Sequence, residues 1–187
     1  MEGKVTVACG QLSFRRGRPT NRSIQKPDAP NRRNIVDVES VLRAKGTAVY
    51  SVKPDSTISE AVKLMHEKRI GAVLVMEDDV DKIRGILSER DIIRVVAEHT
   101  CTALQGVVAD VMTREVVACT ADCTIDTVFS GMVKFNARHL PVYKDDQLLG
   151  LISARDVMQY RIKQLESGEQ PRFQHWFPKG KVFPLGE

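Results

Sequence analysis

The chain has 187 residues, 42% hydrophobic and 28% charged, a composition that excludes a disordered or fibrous protein and suits one compact domain or two small halves sharing a core. The net charge of +4 is unevenly spread: residues 1–34 carry eight Lys or Arg against two acids, while the remainder carries 20 basic and 22 acidic groups. The body therefore has no basic excess with which to hold nucleic acid, and no stretch approaches the roughly 20 apolar residues of a membrane-spanning helix. Aromatic residues make up only 5%, which argues against a stacking surface for sugars or single strands. Cys9, Cys101, Cys119 and Cys123 form no Cys-x-x-Cys pair and have no His at zinc spacing. Neither a metal knot nor a disulfide framework is expected, and a reducing, intracellular compartment fits.

In chain order, residues 1–35 place Gly10, Gly17, Pro19, Pro27 and Pro30 among arginines, without apolar periodicity. They read as a flexible basic extension of a cytoplasmic protein; the same composition admits a mitochondrial or plastid transit peptide. Residues 36–104 and 105–166 then repeat each other. Asp55, Thr57, Ile58, Met65 and Val75 recur 67 positions later as Asp122, Thr124, Ile125, Met132 and Val142, and the stretch Gly85 to Asp91 recurs 65 positions later as Gly150 to Asp156. The two-residue loss falls in the polar stretch 77–82, where a hairpin tip tolerates it.

Each copy predicts a strand (49–52; 115–119), a helix opening at Ser56-Thr57 or Cys123-Thr124, a strand (72–76; 139–143), a polar turn, a strand (83–87; 148–152) and a helix from Ser88 or Ser153. In the first helix Ile58, Ala61, Val62 and Met65 fall at i, i+3, i+4 and i+7, one apolar face. Leading helices are expected at 36–44, supplementing the first copy, and at 107–112, supplementing the second. A unit of about 60 residues buries little apolar surface, so the expected fold is α/β (α+β), two β-α-β-β-α repeats facing each other about a pseudo-twofold axis. The tail 167–187 carries Phe173, Trp176, Phe177 and Phe183 between prolines, a cluster expected to pack on the body, on a partner subunit or on another protein.

The repeated Gly-x-x-Ser-x-x-Asp has two readings. Ser88 with Asp91, and Ser153 with Asp156, can be capping boxes that close a helix start. Yet Asp replaces the usual Glu or Gln both times, and Arg90 or Arg155 precedes it. A hydroxyl at a strand's end, a helix N-terminus, a short carboxylate able to clasp two ribose hydroxyls and an Arg for phosphate together describe a nucleotide site.

These motifs, in order and in duplicate, resemble a tandem pair of cystathionine β-synthase (CBS) domains, the Bateman module. The resemblance rests on Pro54 to Ile58, Arg69 to Val75 and Gly85 to Asp91, on Thr120 to Ile125, Ala137 to Val142 and Gly150 to Asp156, and on the linker Val111-Met112-Thr113. It implies regulatory binding of an adenosine-containing ligand: AMP, ADP, ATP, S-adenosylmethionine or NAD. It also implies two clefts, one combining Ser153, Arg155 and Asp156 with Ile70, Gly71 and Ala72, the other combining Ser88, Arg90 and Asp91 with Ala137, Arg138 and His139. The Asp residues would hold ribose and the Arg residues phosphate, with the second cleft the more cationic. A homodimer and a regulated partner protein are implied too. His139 reads equally as a half-buried strand residue or as a group that makes affinity pH-dependent. No nucleophile and base stand together in both copies, so no enzyme activity is expected. The alternative function is a ligand-free scaffold in which Ser and Asp only cap helices.

Overall fold

The computed structural model describes residues 5–7, 36–77 and 82–166; the C-terminal aromatic cluster and most of the basic leader lie outside the described residues. The elements run β1 (Val5–Val7), α1 (Val38–Lys45), β2 (Ser51–Val52), α2 (Ile58–Lys68), β3 (Ala72–Met76), β4 (Ile83–Ser88) and α3 (Glu89–His99). A 3₁₀ turn, Cys101–Gln105, leads to α4 (Val108–Val111), β5 (Val116–Thr120), α5 (Ile125–Lys134), β6 (His139–Lys144), β7 (Gln147–Ser153) and α6 (Ala154–Glu166). The expected α/β repeat architecture holds.

Local chemistry sets the element ends. Thr57 caps α2 through a full capping box, its Oγ1 accepting from Glu60 N at 3.2 Å while Glu60 Oε2 accepts from Thr57 N at 2.7 Å. Thr124 caps α5 by its side chain alone, accepting from Thr127 N at 3.2 Å. The shortened second hairpin turns at Asp145 and Asp146, both at positive φ (50° and 62°), the two-residue geometry whose twist matches the flanking strands.

Strands β2-β3-β4 form one sheet and β1-β5-β6-β7 the other. In each, the first strand of the repeat runs parallel to the second, which pairs antiparallel with the third; the register shifts at equivalent places, Val75/Met76 and Val142/Tyr143. Leu74, Met76, Ile83 and Val116 make a core between the sheets.

Two expectations are corrected. First, α1 supplements the second repeat: Val38 and Leu42, both fully buried, pack with Cys119, Ile125, Leu140 and Ile152, and Val38 N donates to Cys123 O. Conversely Val108 and Met112 pack with Ala61, Val73 and Leu87 of the first repeat, and Val108 N donates to Ser56 O. Each leading helix thus crosses to the other repeat and buries its apolar residues in that repeat's core. Second, the leader is not without structure throughout, since Val5–Val7 pair in parallel with Val116–Ala118 of β5. No helix among the described residues is long and apolar enough to cross a membrane.

Candidate functional site

Strand β4 delivers Ser88 to the start of α3 in extended conformation, φ −115° and ψ 162°. Asp91 follows one turn on, 8% exposed, the only buried charged residue among the described residues. Its Oδ2 accepts from Ser88 N at 3.0 Å and from Ser88 Oγ at 2.6 Å. The capping reading is thus realised, but it uses one oxygen. The other, Oδ1, accepts from Arg94 at 3.3 Å, and that guanidinium is 58% exposed. A long contact to a solvated Arg is weak, so half of the carboxylate remains available to an incoming donor.

Opposite, α5 of the second repeat ends at Phe135, and Asn136 adopts φ 50°, turning the chain into β6. Arg90 donates to Asn136 Oδ1 at 3.3 Å, across the repeats. Between them lies a cavity of about 250 Å³ lined by Ser88, Arg90, Asp91 and Arg94 on one side and by Phe135 to His139 on the other, with Val116 and Val117 of β5 beside them. The structure therefore brings together all six residues expected for the second cleft: Ser88, Arg90, Asp91, Ala137, Arg138 and His139. It adds Arg94 and Asn136, which the motif alone did not reveal, although Arg94 sits one helical turn beyond Asp91 and was within reach of a spacing argument. Thr113, the last residue of the linker Val111-Met112-Thr113, and Glu115 also line the cavity; the Ser-x-x-Asp motif points to neither. Three guanidinium groups face two carboxylates here, a field that favours an anion.

The other expected cleft differs. Asp156 Oδ2 accepts from Ser153 N and Ser153 Oγ, each at 2.7 Å, and also from Lys45 Nζ at 2.6 Å. Lys45, in the last turn of α1, further donates to Leu151 O at 2.7 Å. Burial raises the Asp156 pKa, but the hydrogen bonds from Lys45 and Ser153 outweigh it and hold the carboxyl below its usual range. Leu42 and Met112 hold equivalent places, against Gly150 and Gly85 respectively, and the residue three positions on is Lys45 in one case and Glu115 in the other, so a lysine stands on the Asp of this cleft alone. Ile70 and Gly71 are half-buried and Ala72 is buried. Gly71 O accepts from Glu89 N of its own repeat at 3.1 Å, and the Glu89 carboxylate stands 3.2 Å from where a Cβ at Gly71 would be. Among the described residues no hydrogen bond joins Ile70, Gly71 or Ala72 to Ser153, Arg155 or Asp156. The Glu89 carboxylate beside Gly71, with Lys45 spent on Asp156, leaves this side with less unpaired positive charge than the second, where Arg90, Arg94 and Arg138 meet two carboxylates.

His139 belongs to both neighbourhoods. It lines the 250 Å³ cavity and pairs in register with Ser153. Burial, then the charge of Arg138, lowers its pKa; the carboxylate of Asp156 opposes this and Lys45 adds to it. The folded protein thus favours the neutral ring, so unfolding takes up a proton once pH falls through the unfolded value of 6.5. Stability contributed by this group is complete above that pH and declines below it. Thermal unfolding followed from pH 7.5 to 5.5 should show that decline, and His139→Gln, which cannot titrate, should flatten it.

The duplicated sequence unit and its fold have counterparts in known proteins. The family model for the CBS domain matches twice, at residues 38–98 and 108–163. The chain belongs to the CBS-domain family. The CBS domain-containing protein YhcV of Bacillus subtilis is 31% identical over 121 residues, which is 64% of this chain and 84% of that one. An uncharacterised 17.7 kDa protein of Acidianus ambivalens is 35% identical over 59% of this chain and 66% of its own length. A CBS-domain containing protein from Agrobacterium tumefaciens, of known crystal structure, superposes with a TM-score of 0.65 at 37% identity, covering 67% of this chain and 99% of that one. Another CBS domain pair, described in complex with 5'-methylthioadenosine and S-adenosyl-L-methionine, shares the fold (TM-score 0.60) at 23% identity. Inosine-5'-monophosphate dehydrogenase of Methanocaldococcus jannaschii matches over only 22% of its length.

Proposed function

We propose that this CBS pair is a non-catalytic regulatory module that binds an adenosine-containing ligand, with the cleft of Ser88, Arg90, Asp91, Ala137, Arg138 and His139 as its principal site, and that occupancy modulates a partner protein. The observation that carries this reading is the 250 Å³ cavity in which the Ser-x-x-Asp of one repeat faces the arginine and histidine of the other. A structural relative described with two adenosyl compounds adds support. Asp91 Oδ1 would accept the ribose hydroxyls and Ser88 would bond sugar or phosphate. Arg90, Arg94 and Arg138 would neutralise phosphate, so AMP, ADP or ATP should bind this cleft better than the cationic S-adenosylmethionine. The cleft of Ile70, Gly71, Ala72, Ser153, Arg155 and Asp156 serves as a secondary site, where a ligand has to share Asp156 with Lys45. Val5–Val7 complete a sheet, which favours a mature chain that keeps its leader. Isothermal titration with AMP, ADP, ATP, NAD, S-adenosylmethionine and GTP tests the reading. Selective micromolar to millimolar binding of an adenine nucleotide supports it, and silence across the panel overturns it.

A second reading, the ligand-free scaffold, is favoured by the capping bonds from Ser88 and Ser153 to Asp91 and Asp156. It predicts no heat in any of those titrations.

The module is further read as a homodimer. Met158, Ile162 and Leu165 are each 55% exposed at i, i+4 and i+7 on α6, and Ile93, the α3 counterpart of Met158, is 69% exposed. Two equivalent helices thus present apolar residues to solvent, as an isologous interface requires. Ile162→Glu should halve the mass seen by light scattering after size exclusion while leaving the circular dichroism spectrum unchanged.

A further inference from the structure

The two sheets treat their outer edges differently. On β5 the edge is taken by β1, with Val5, Thr6 and Val7 in parallel register with Val116, Val117 and Ala118. The equivalent residues of the first repeat are Val49, Tyr50 and Ser51, and β2 is the outermost strand of its sheet among the described residues. Burial follows the difference: Val116 is 2% and Ala118 0% exposed, whereas Val49 is half-buried and Ser51 exposed. Beside the open edge lies a groove of about 520 Å³, lined by Val49, Ser51, Met76, Leu148 and Leu149 among others. Since β7 is the outer strand of the other sheet among the described residues, the groove lies beside two strand edges that no other described strand covers, a setting that suits an added strand.

The sequence contains a segment matched to that slot. Gly3-Lys4-Val5, which opens the segment on β5, recurs as Gly180-Lys181-Val182, followed by Phe183. Val and Phe are strand formers that suit a half-buried surface, and Pro184 is compatible with an edge strand whose missing N–H faces outward. The 15 residues from Glu166 to Lys181 span up to about 50 Å, ample for a body whose radius of gyration is on the order of 14 Å. We propose that Lys181–Phe183 of the same chain docks as an added strand on the outer edge of β2, filling the groove and completing the first sheet as Val5–Val7 complete the second.

The experiment uses the full chain with the photoreactive residue benzoylphenylalanine in place of Phe183, irradiated and mapped by mass spectrometry, alongside amide exchange of Val182→Pro. The expected result is an adduct within one copy to residues 47–52 or 147–149, together with exchange at residues 49–52 faster by on the order of tenfold in Val182→Pro. Position 182 lies outside the 36–166 body, so loss of the fold is not a competing outcome. An adduct elsewhere, no adduct, or unchanged exchange would overturn the proposal. An adduct in the groove that joins two copies, recognised by mixing heavy- and light-isotope protein, would overturn the same-chain assignment.

Discussion

Asp91→Ala is expected to lower the affinity of the module for an adenine nucleotide by on the order of 10- to 100-fold at the cross-repeat cavity, the worth of about 1.5–3 kcal/mol for hydrogen bonds to a charged acceptor. The fold should lose only about 1 kcal/mol, because the Ser88 bonds to Oδ2 are a cap and no more. The separation of these two magnitudes decides between the sensor and the scaffold, which agree on the second number and disagree on the first. Titration calorimetry with ATP and AMP measures the affinity, and urea unfolding of the same samples measures the stability. If Asp91→Ala loses stability by that amount while nucleotide affinity stays at the parent value, the ligand does not use this carboxylate. Asp156→Ala is the paired control: its partner Lys45 is left without its carboxylate, so its stability cost should be the larger of the two and its effect on affinity the smaller.

Gly85→Ala is expected to destabilise the protein by about 1–3 kcal/mol, the range for an added methyl that the surroundings cannot accommodate. A Cβ at Gly85 would stand 2.7 Å from Met112 Sδ and 2.8 Å from Thr113 O. The second of these is backbone, and it is pinned: Ile86 N donates to Thr113 O at 3.0 Å and Thr113 N donates to Ile86 O at 2.9 Å. The linker therefore has to move as a unit, and Thr113 lines the cavity, so nucleotide affinity should fall along with stability. At the equivalent Gly150 the nearest atoms are Leu42 Cδ1 at 3.1 Å and Cδ2 at 3.3 Å, side-chain ends that can rotate. Gly150→Ala should accordingly cost less. Thermal denaturation ranks the two directly, at about 4 °C per kcal/mol for a domain of this size, and equal shifts would contradict the backbone-clash argument.

The repeats were legible because they are written in local terms. Apolar spacing of 3 and 4 residues marked α2, Gly-x-x-Ser-x-x-Asp marked the passage from β4 to α3 and from β7 to α6, and the two-residue loss marked the turn at Asp145-Asp146. The site was legible in part for the same reason: Ser88 and Asp91 are three residues apart and fix each other's geometry. Arg94, one turn further along, is equally local but carries no signature, since an exposed Arg on a helix is ordinary. The path of α1 was misjudged because the chain order of an amphipathic helix does not say which of two similar apolar faces it covers. Val38 and Leu42 would suit either repeat by hydrophobicity.

By itself, then, the sequence determined the two β-α-β-β-α units and their motif-bearing helix starts, consequences of spacing and composition. Only the tertiary structure decided that the leading helices cross, that Val5–Val7 close one sheet edge, and that Lys45 of α1 reaches Asp156 across 111 positions of sequence. Those are choices between near-equivalent halves of a duplicated chain. They are settled by which contacts can form at once in three dimensions, where burial and charge pairing act between residues whose separation in sequence leaves no periodic trace.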